Sequence, residues 1–392
     1  MTTFTEELSQ IMPSFEDAGT KDADRKIESM LGQALAEPIN HPALSDTIFP
    51  GDRVTILVQN GLPAAREMLL SLLGVLESSR IETENILVVV PENMKKAFGL
   101  VELSPADAKT ATPATWRMGD DDSVTALRFE VHAADDETAA SYLAANAQGN
   151  PVYVNRSLFD SDVILPLSCL SPGKKRSDCL YPEFSTDETR ARYRKKEDSV
   201  KQRNAESELA NDSLGLFFSI EMICGPGEVI DGIVCGSRVD ARQIASDRLA
   251  SLWQMGTEDD CDVVVTTVES AGEQVTWSNI VRAVNTAAHT VNEGPIIVLS
   301  MLSEKPSSKV KTACAAQFES SVPDSLPEKL QHFASILCER PVYLKSLLSQ
   351  NLVESLGLGH IESIDSARRI LGSYSRPLLI RDGHLRSDPN AL

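Results

Sequence analysis

Val54-Thr55-Ile56-Leu57-Val58 decides the fold. All five residues are apolar or β-branched, and no polar residue alternates with them. That pattern belongs to a strand buried on both faces, as in a parallel sheet. Pro50-Gly51-Asp52 ahead of it is a turn. Gln59-Asn60-Gly61-Leu62-Pro63 follows it, and Ala64 to Ser78 then has helical spacing. Ile86-Leu87-Val88-Val89-Val90 is a second apolar run, ended by Pro91. Strand, helix and strand at this spacing make a βαβ unit with a right-handed crossover.

Outward from that unit the same reading continues in both directions. Residues 1–25 form a polar arm, although Asp22 to Leu35 places Ile27, Met30, Leu31 and Ala34 on one helical face before Pro38 and Pro42. Residues 103–127 read as loop plus an edge element, and Asp136 to Ala147 as helix. Val152-Tyr153-Val154 and Val163-Ile164-Leu165 are strands. Glu183 to Glu208 is dense in charge and reads as one or two solvated helices. Leu216 to Cys224 and Val229 to Cys235 form a hairpin, and Ala241 to Met255 a helix.

A second α/β stretch opens at Asp262-Val263-Val264-Val265. It continues with a helix from Ile280 to Val291, a strand from Ile296 to Leu299 and a loop from Glu304 to Val322. Helical patterns follow at Leu326 to Cys338, Leu344 to Leu356 and Ser363 to Leu371, the last capped by Ser363 or Asp365. Leu378-Leu379-Ile380 is the last strand. The expected fold class is α/β: two α/β domains with mostly parallel sheets and a cleft between them. The domains are 26–257 and 258–392, divided in the polar stretch between Met255 and Cys261.

The bulk numbers agree with a globular chain. Of 392 residues, 42% are hydrophobic and 24% charged. A net charge of -20 repels phosphate backbones and anionic lipid, which argues against nucleic acid and membranes as partners. The protein partner stays unspecified. No apolar run is long enough for a bilayer, and the polar, acidic start lacks a secretory pattern, so the expected location is cytoplasmic. Seven scattered cysteines without a CxxC pair fit reduced thiols acting as small buried hydrophobes, not a disulfide framework or zinc site.

Several stretches together resemble the nickel-dependent lactate racemase (LarA-like) family. They are Ala34-Leu35-Ala36-Glu37-Pro38 running into Pro50-Gly51-Asp52-Arg53-Val54, and Gly149-Asn150-Pro151-Val152-Tyr153-Val154-Asn155-Arg156 with Asp160-Ser161-Asp162-Val163-Ile164. Asp262-Val263-Val264-Val265 with Gly294-Pro295-Ile296-Ile297-Val298 adds to them, and Pro341-Val342-Tyr343-Leu344 to Arg369 does so more loosely. The resemblance implies racemisation beside a carboxylate by hydride transfer to a nickel-pincer nucleotide. It also implies two histidines as alternating acid and base, an Arg gripping the carboxylate, a Lys tethering the cofactor and a His on nickel.

This chain departs from that set at each motif. Leu62 stands where the family's "D-x-T-R-P" has its Arg, leaving Gln59 and Asn60 as polar substrate contacts in that turn. Lys95 falls closest to the first catalytic His and is the one candidate catalytic base, if buried or crowded by cations. Gly173 takes the second His position, and Lys174 and Lys175, with Arg176, are what remains to meet a phosphate. Arg194 stands near the nickel ligand position, and a guanidinium has no lone pair to give. In the second domain "Y-Q-x-x-K" becomes Ser278-Asn279-Ile280-Val281-Arg282, so Arg282 keeps the substrate-binding charge. The six histidines, His41, His132, His289, His332, His360 and His384, suggest no joint site by spacing, and no metal ligand set is assigned.

Three functions fit these residues. The first is a divergent family member without nickel-pincer-dependent 2-hydroxy acid racemisation, binding a small carboxylate or nucleotide in the cleft. The second is an enzyme of altered chemistry that gathers Lys95, Lys174, Lys175, Arg194 and Arg282 into one basic pocket. The third is an active 2-hydroxy acid racemase or epimerase with its motifs shifted.

Overall fold

Val54–Val58 is the centre of a parallel sheet, buried at all five positions. The computed structural model describes residues 23–98, 100–102, 114–118, 127–170, 172, 180–194, 200–226, 229–254, 261–268, 274–290, 294–319 and 321–386. The chain forms two compact units, Gly19–Cys224 with Ile230–Leu249, and Gly225–Val229 with Ala250–Leu392.

The first unit begins with helices α1 (Ala23–Ala36) and α2 (Leu44–Thr47), strand β1 (Val54–Val58), α3 (Ala65–Ser78) and β2 (Ile86–Pro91). Next come α4 (Met94–Ala97), β3 (Leu100–Glu102), β4 (Ala114–Met118), β5 (Leu127–His132), β6 (Ala140–Ala145), β7 (Pro151–Asn155) and β8 (Val163–Leu170). It closes with α5 (Asp187–Arg194), α6 (Val200–Ser213), β9 (Phe218–Cys224), β10 (Ile230–Ser237) and α7 (Arg238–Trp253), whose residues from Ala250 on belong to the second unit.

Its eight-stranded sheet has the order β10-β9-β8-β1-β2-β5-β4-β3. The five middle strands, β9 to β5, are parallel, and the outer three are antiparallel. From β1 the chain builds outward through β2 to β5, then returns to place β8 on the other side of β1. The strand order therefore reverses between β1 and β8. Open α/β sheets leave their ligand crevice outside the carboxyl ends of strands at such a point.

Two cores sandwich the sheet. On one face Leu31 and Leu35 of α1 and Met68, Leu69, Leu72 and Leu76 of α3 cover Ile56, Val58 and Val88. On the other, Tyr181, Phe184, Ala210 and Leu216 cover Leu57, Val89 and Ile164. Each fully buried Leu contributes about 1.5–3 kcal/mol, so truncating Leu72 alone would consume much of a marginal stability.

The second unit contains β11 (Val263–Val268), α8 (Trp277–Ala288), β12 (Ile296–Ser300), α9 (Ser308–Glu319) and α10 (Glu328–Glu339). It continues with β13 (Val342–Lys345), α11 (Gln350–Ser355), β14 (Gly359–His360), α12 (Ile364–Leu371) and β15 (Pro377–Ile380). All five strands are parallel, in the order β14-β13-β12-β11-β15. Its reversal lies between β11 and β15.

Four expectations from the sequence need correction. Asp136–Ala147 is not a helix: Glu137–Ala139 is a 3-10 turn, and β6 pairs antiparallel with β7. Asn146 Oδ1 accepts from Gln148 N at 3.0 Å and Asn150 N at 2.8 Å, and Gly149 adopts φ +80°, so the turn fixes a hairpin despite the alanines. Glu304–Val322 is not simply loop: α9 buries Val310, Ala313, Cys314 and Ala316 at helical spacing. Leu344–Leu356 is split, because Leu344 and Lys345 extend β13 beside β12. The charge-dense stretch is helical but not wholly solvated, since Glu206 is 1% exposed. Among the described residues no helix is long and apolar enough to cross a membrane.

Candidate functional site

At the first unit's switch point the chain's own groups meet one another. Gln59 N donates to Leu167 O at 3.0 Å, extending the β1–β8 ladder by one step. The Gln59 side-chain carbonyl then accepts Cys169 N at 2.6 Å. Gly61, at φ +69°, donates its N–H to Met94 Sδ at 3.3 Å. Leu62 N closes back on Gln59 O at 3.2 Å, which turns the Leu62 side chain into the core at 5% exposure. Asn60 is exposed and accepts from Asn93 Nδ2 at 2.5 Å. Gln59 and Asn60 thus stand together beside the Asn93 turn, with the Gln59 carbonyl already engaged.

Lys95 is half-exposed on α4, one residue after the buried Met94. Lys174 and Lys175, with Gly173, lie outside the described residues, as does the side chain of Arg194 at the end of α5. Lys95 belongs to the first unit and Arg282 to the second.

Sequence reasoning missed two buried networks in the first unit. His132, last in β5, is buried, with Nε2 3.0 Å from Ser185 O and Nδ1 3.3 Å from Asn155 Nδ2. A carbonyl can only accept and an amide NH2 only donate, so the ring is neutral with its proton on Nε2. Burial lowers its pKa, against the Ser185 hydrogen bond, and the Arg190 charge lowers it further. Asn155 Nδ2 also donates to Glu130 Oε1 at 2.5 Å, while Asn155 Oδ1 caps Ser157 N at 2.8 Å. The Asn155 of the resemblance's most specific block therefore acts as a structural clamp.

The second network surrounds Glu206. Its carboxylate accepts from Tyr181 Oη, from Asn146 Nδ2 at 2.5 Å and from Gln202 Nε2 at 3.1 Å, with Arg192 Nη2 3.7 Å away. Burial pushes this carboxyl up, but the hydrogen bonds outweigh it and hold it below its usual value. Burial and the same carboxylate push the Tyr181 hydroxyl up. A spacing argument could not find this set, because Tyr181 and Asn146 lie 25 and 60 residues from Glu206 along the chain; the signal available was a Glu in a helix that also carries Ala210 on its buried face.

The nickel-pincer nucleotide implied by the resemblance does not fit these residues. The Arg position holds core-packed Leu62. On α5, Arg190 pairs with Glu183 at 2.9 Å, Arg192 faces Glu206, and the helix offers no imidazole. Among the described residues no group of three His, Cys, Asp or Glu side chains could hold a metal ion.

In the second unit the switch point is filled by the turn after β15. Asp382, at φ +51°, donates its N–H to Thr267 Oγ1 at 3.0 Å. Gly383 lies so close to Thr266 that a Cβ there would sit 2.2 Å from Thr266 Oγ1. His384 is 3% exposed, and burial with the Arg282 charge lowers its pKa to about 4. Thr266 Oγ1 and His384 Nδ1 are buried without a hydrogen-bond partner among the described residues. Arg386 pins the turn, stacking 5.5 Å over Trp253 and donating to Leu252 O at 3.2 Å. Arg282 is half-buried on α8, and its charge acts on His384.

The histidines are less scattered than their spacing suggests. His289 and His332, both exposed, stack with ring centroids 5.4 Å apart. A groove of about 1240 Å³ between α1 and α3 is lined by Gly32, Ile48, Phe49, Leu70, Gly74 and Val75 among others, and no imidazole or thiol lines it.

Sheets whose strand order reverses once in each unit define a two-unit α/β protein. Its fold is lactate-racemase-like. The structure is similar to the lactate racemase apoprotein from Thermoanaerobacterium thermosaccharolyticum, with a TM-score of 0.55 and 13% identity over 92% of each chain. It is also similar to a protein from Thermotoga maritima, with a TM-score of 0.48 and 12% identity over 94% of this chain and 98% of that one. No family model matches the sequence, and no curated protein matches it.

Proposed function

We propose that this chain is a divergent relative of lactate racemase that has lost nickel-pincer-dependent racemisation of 2-hydroxy acids and keeps a small-carboxylate-binding role. The observation that carries the reading is the state of the first switch point. Leu62 is packed into the core where a carboxylate-gripping Arg is required, and the Gln59 carbonyl is engaged by Cys169 N. A leucine offers neither charge nor donor to a carboxylate. Lys95 is half-exposed on α4. Arg282 in the second unit supports the retained affinity, because its guanidinium is a fork suited to a small carboxylate.

The test has two parts. Protein made in cells that also make the nickel-pincer nucleotide is analysed for metal, and nickel far below one equivalent is expected. Calorimetric titration with L-lactate then reads the carboxylate site, with binding expected for the natural chain and lost in Arg282→Gln. Stoichiometric nickel contradicts the loss of racemisation, and equal heats from both proteins contradict the role of Arg282.

A further inference from the structure

Cys169 and Cys224 place their Sγ atoms 3.5 Å apart. Cys169 is the next-to-last residue of β8 and Cys224 the last of β9, at the carboxyl edge of two adjacent parallel strands. Met222 stands opposite Cys169 in the register, and all three residues face the same core. Two thiols therefore meet at one end of the sheet, beside the switch point, with Met222 on the neighbouring strand level with Cys169. Cys169 and Cys224 are both buried residues, 7% and 6% exposed.

The register decides what such a pair can do. Cys169 is level with Met222, so Cys224 lies two residues further along. Strands about 4.8 Å apart with a rise of about 3.3 Å per residue put the two Cα atoms about 8 Å apart. A disulfide needs less than about 7 Å, so it would require backbone movement. Chelation has no such limit, since tetrahedral or trigonal bonds of about 2.3 Å to sulfur set the two sulfurs about 4 Å apart. Zinc takes four donors, and no third His, Cys, Asp or Glu joins the pair among the described residues. Thiolate and thioether together select a soft ion of low coordination number, for which monovalent copper is the fitting case.

We propose that Cys169 and Cys224, with Met222 beside them, form a chelating site for a soft monovalent cation of the copper(I) type. Each thiol loses its proton as its sulfur binds, so uptake releases two protons and no electron changes hands. The site does not rest on the functional reading above and stands or falls separately from it.

The test titrates the reduced full chain anaerobically with copper(I) against bicinchoninate, a coloured competing chelator. The natural chain is expected to withhold one equivalent. Cys169→Ala and Cys224→Ala are each expected to lose that equivalent with at least a hundredfold drop in affinity, and Met222→Leu to show a smaller drop. Cys235→Ala and Cys338→Ala serve as controls and keep it. If the alanine variants do not fold, copper-edge X-ray absorption of the natural complex is read instead, with two or three sulfur neighbours expected. A natural chain that yields all its copper, controls that fall as far as Cys169→Ala, or nitrogen and oxygen neighbours at the metal would overturn the site.

Discussion

The side-chain carbonyl of Gln59 accepts the backbone N–H of Cys169 at 2.6 Å, across the point where the strand order of the first sheet reverses. That bond ties β1 to β8 where a ligand crevice is expected. Removing the acceptor leaves a half-buried N–H unsatisfied, which costs about 1–3 kcal/mol. Gln59→Ala should therefore shift the urea midpoint downward, and Gln59→Glu, which keeps the acceptor, should shift it less. Equal midpoints for all three proteins would mean that the bond carries no stability.

Leu62 tests whether an arginine can stand at this position. Its side chain is in the core, so Leu62→Arg would bury an unpaired charge at a cost of about 3–5 kcal/mol. Leu62→Ala should cost about 2–5 kcal/mol through lost packing. Denaturant unfolding reads both. A Leu62→Arg protein as stable as the natural chain would show that this position can turn outward.

His384 gives the second unit a defined pH response. Its pKa in the folded chain is lowered to about 4, below the unfolded value near 6.5. Between these limits the unfolded chain takes up a proton that the folded chain refuses. Stability from this group is therefore complete above about pH 6.5 and declines as pH falls toward 4. Melting temperatures across that range should fall less steeply for His384→Gln. Parallel curves would place the response elsewhere.

Glu206 responds in the opposite sense of charge. Burial raises its pKa and hydrogen bonds lower it further, to a net value below that of the unfolded chain. Its contribution is present above the unfolded carboxylate pKa and is lost as pH falls through the folded one. Glu206→Gln keeps one acceptor for Tyr181 and sets its NH2 against other donors, at a cost of about 1–3 kcal/mol at neutral pH. Calorimetric melts at pH 7 and in acid should show that difference shrinking in acid.

The parallel sheets were legible because their strands are unbroken apolar runs, as at Val54–Val58 and Val263–Val265. The hairpin β6–β7 was not, because Ala139, Ala140, Ala144 and Ala145 favour helix locally while the Asn146–Asn150 turn and strand pairing override them. That position 62 carries a leucine, with no charge to offer, could be read from one letter. The engagement of Gln59 by Cys169 could not, since it joins residues 110 apart through a backbone donor. Nor could the pairing of His289 with His332, which depends on how α8 and α10 pack. The same holds for the sulfur pair, whose separation of 55 residues carries no motif.

The most direct measurement is chiral chromatography of L-lactate incubated with the purified chain and supplied nickel-pincer nucleotide. The proposed loss of racemisation predicts that the L enantiomer stays pure over a time in which an active racemase reaches equilibrium. Appearance of D-lactate at a rate proportional to protein concentration would contradict it.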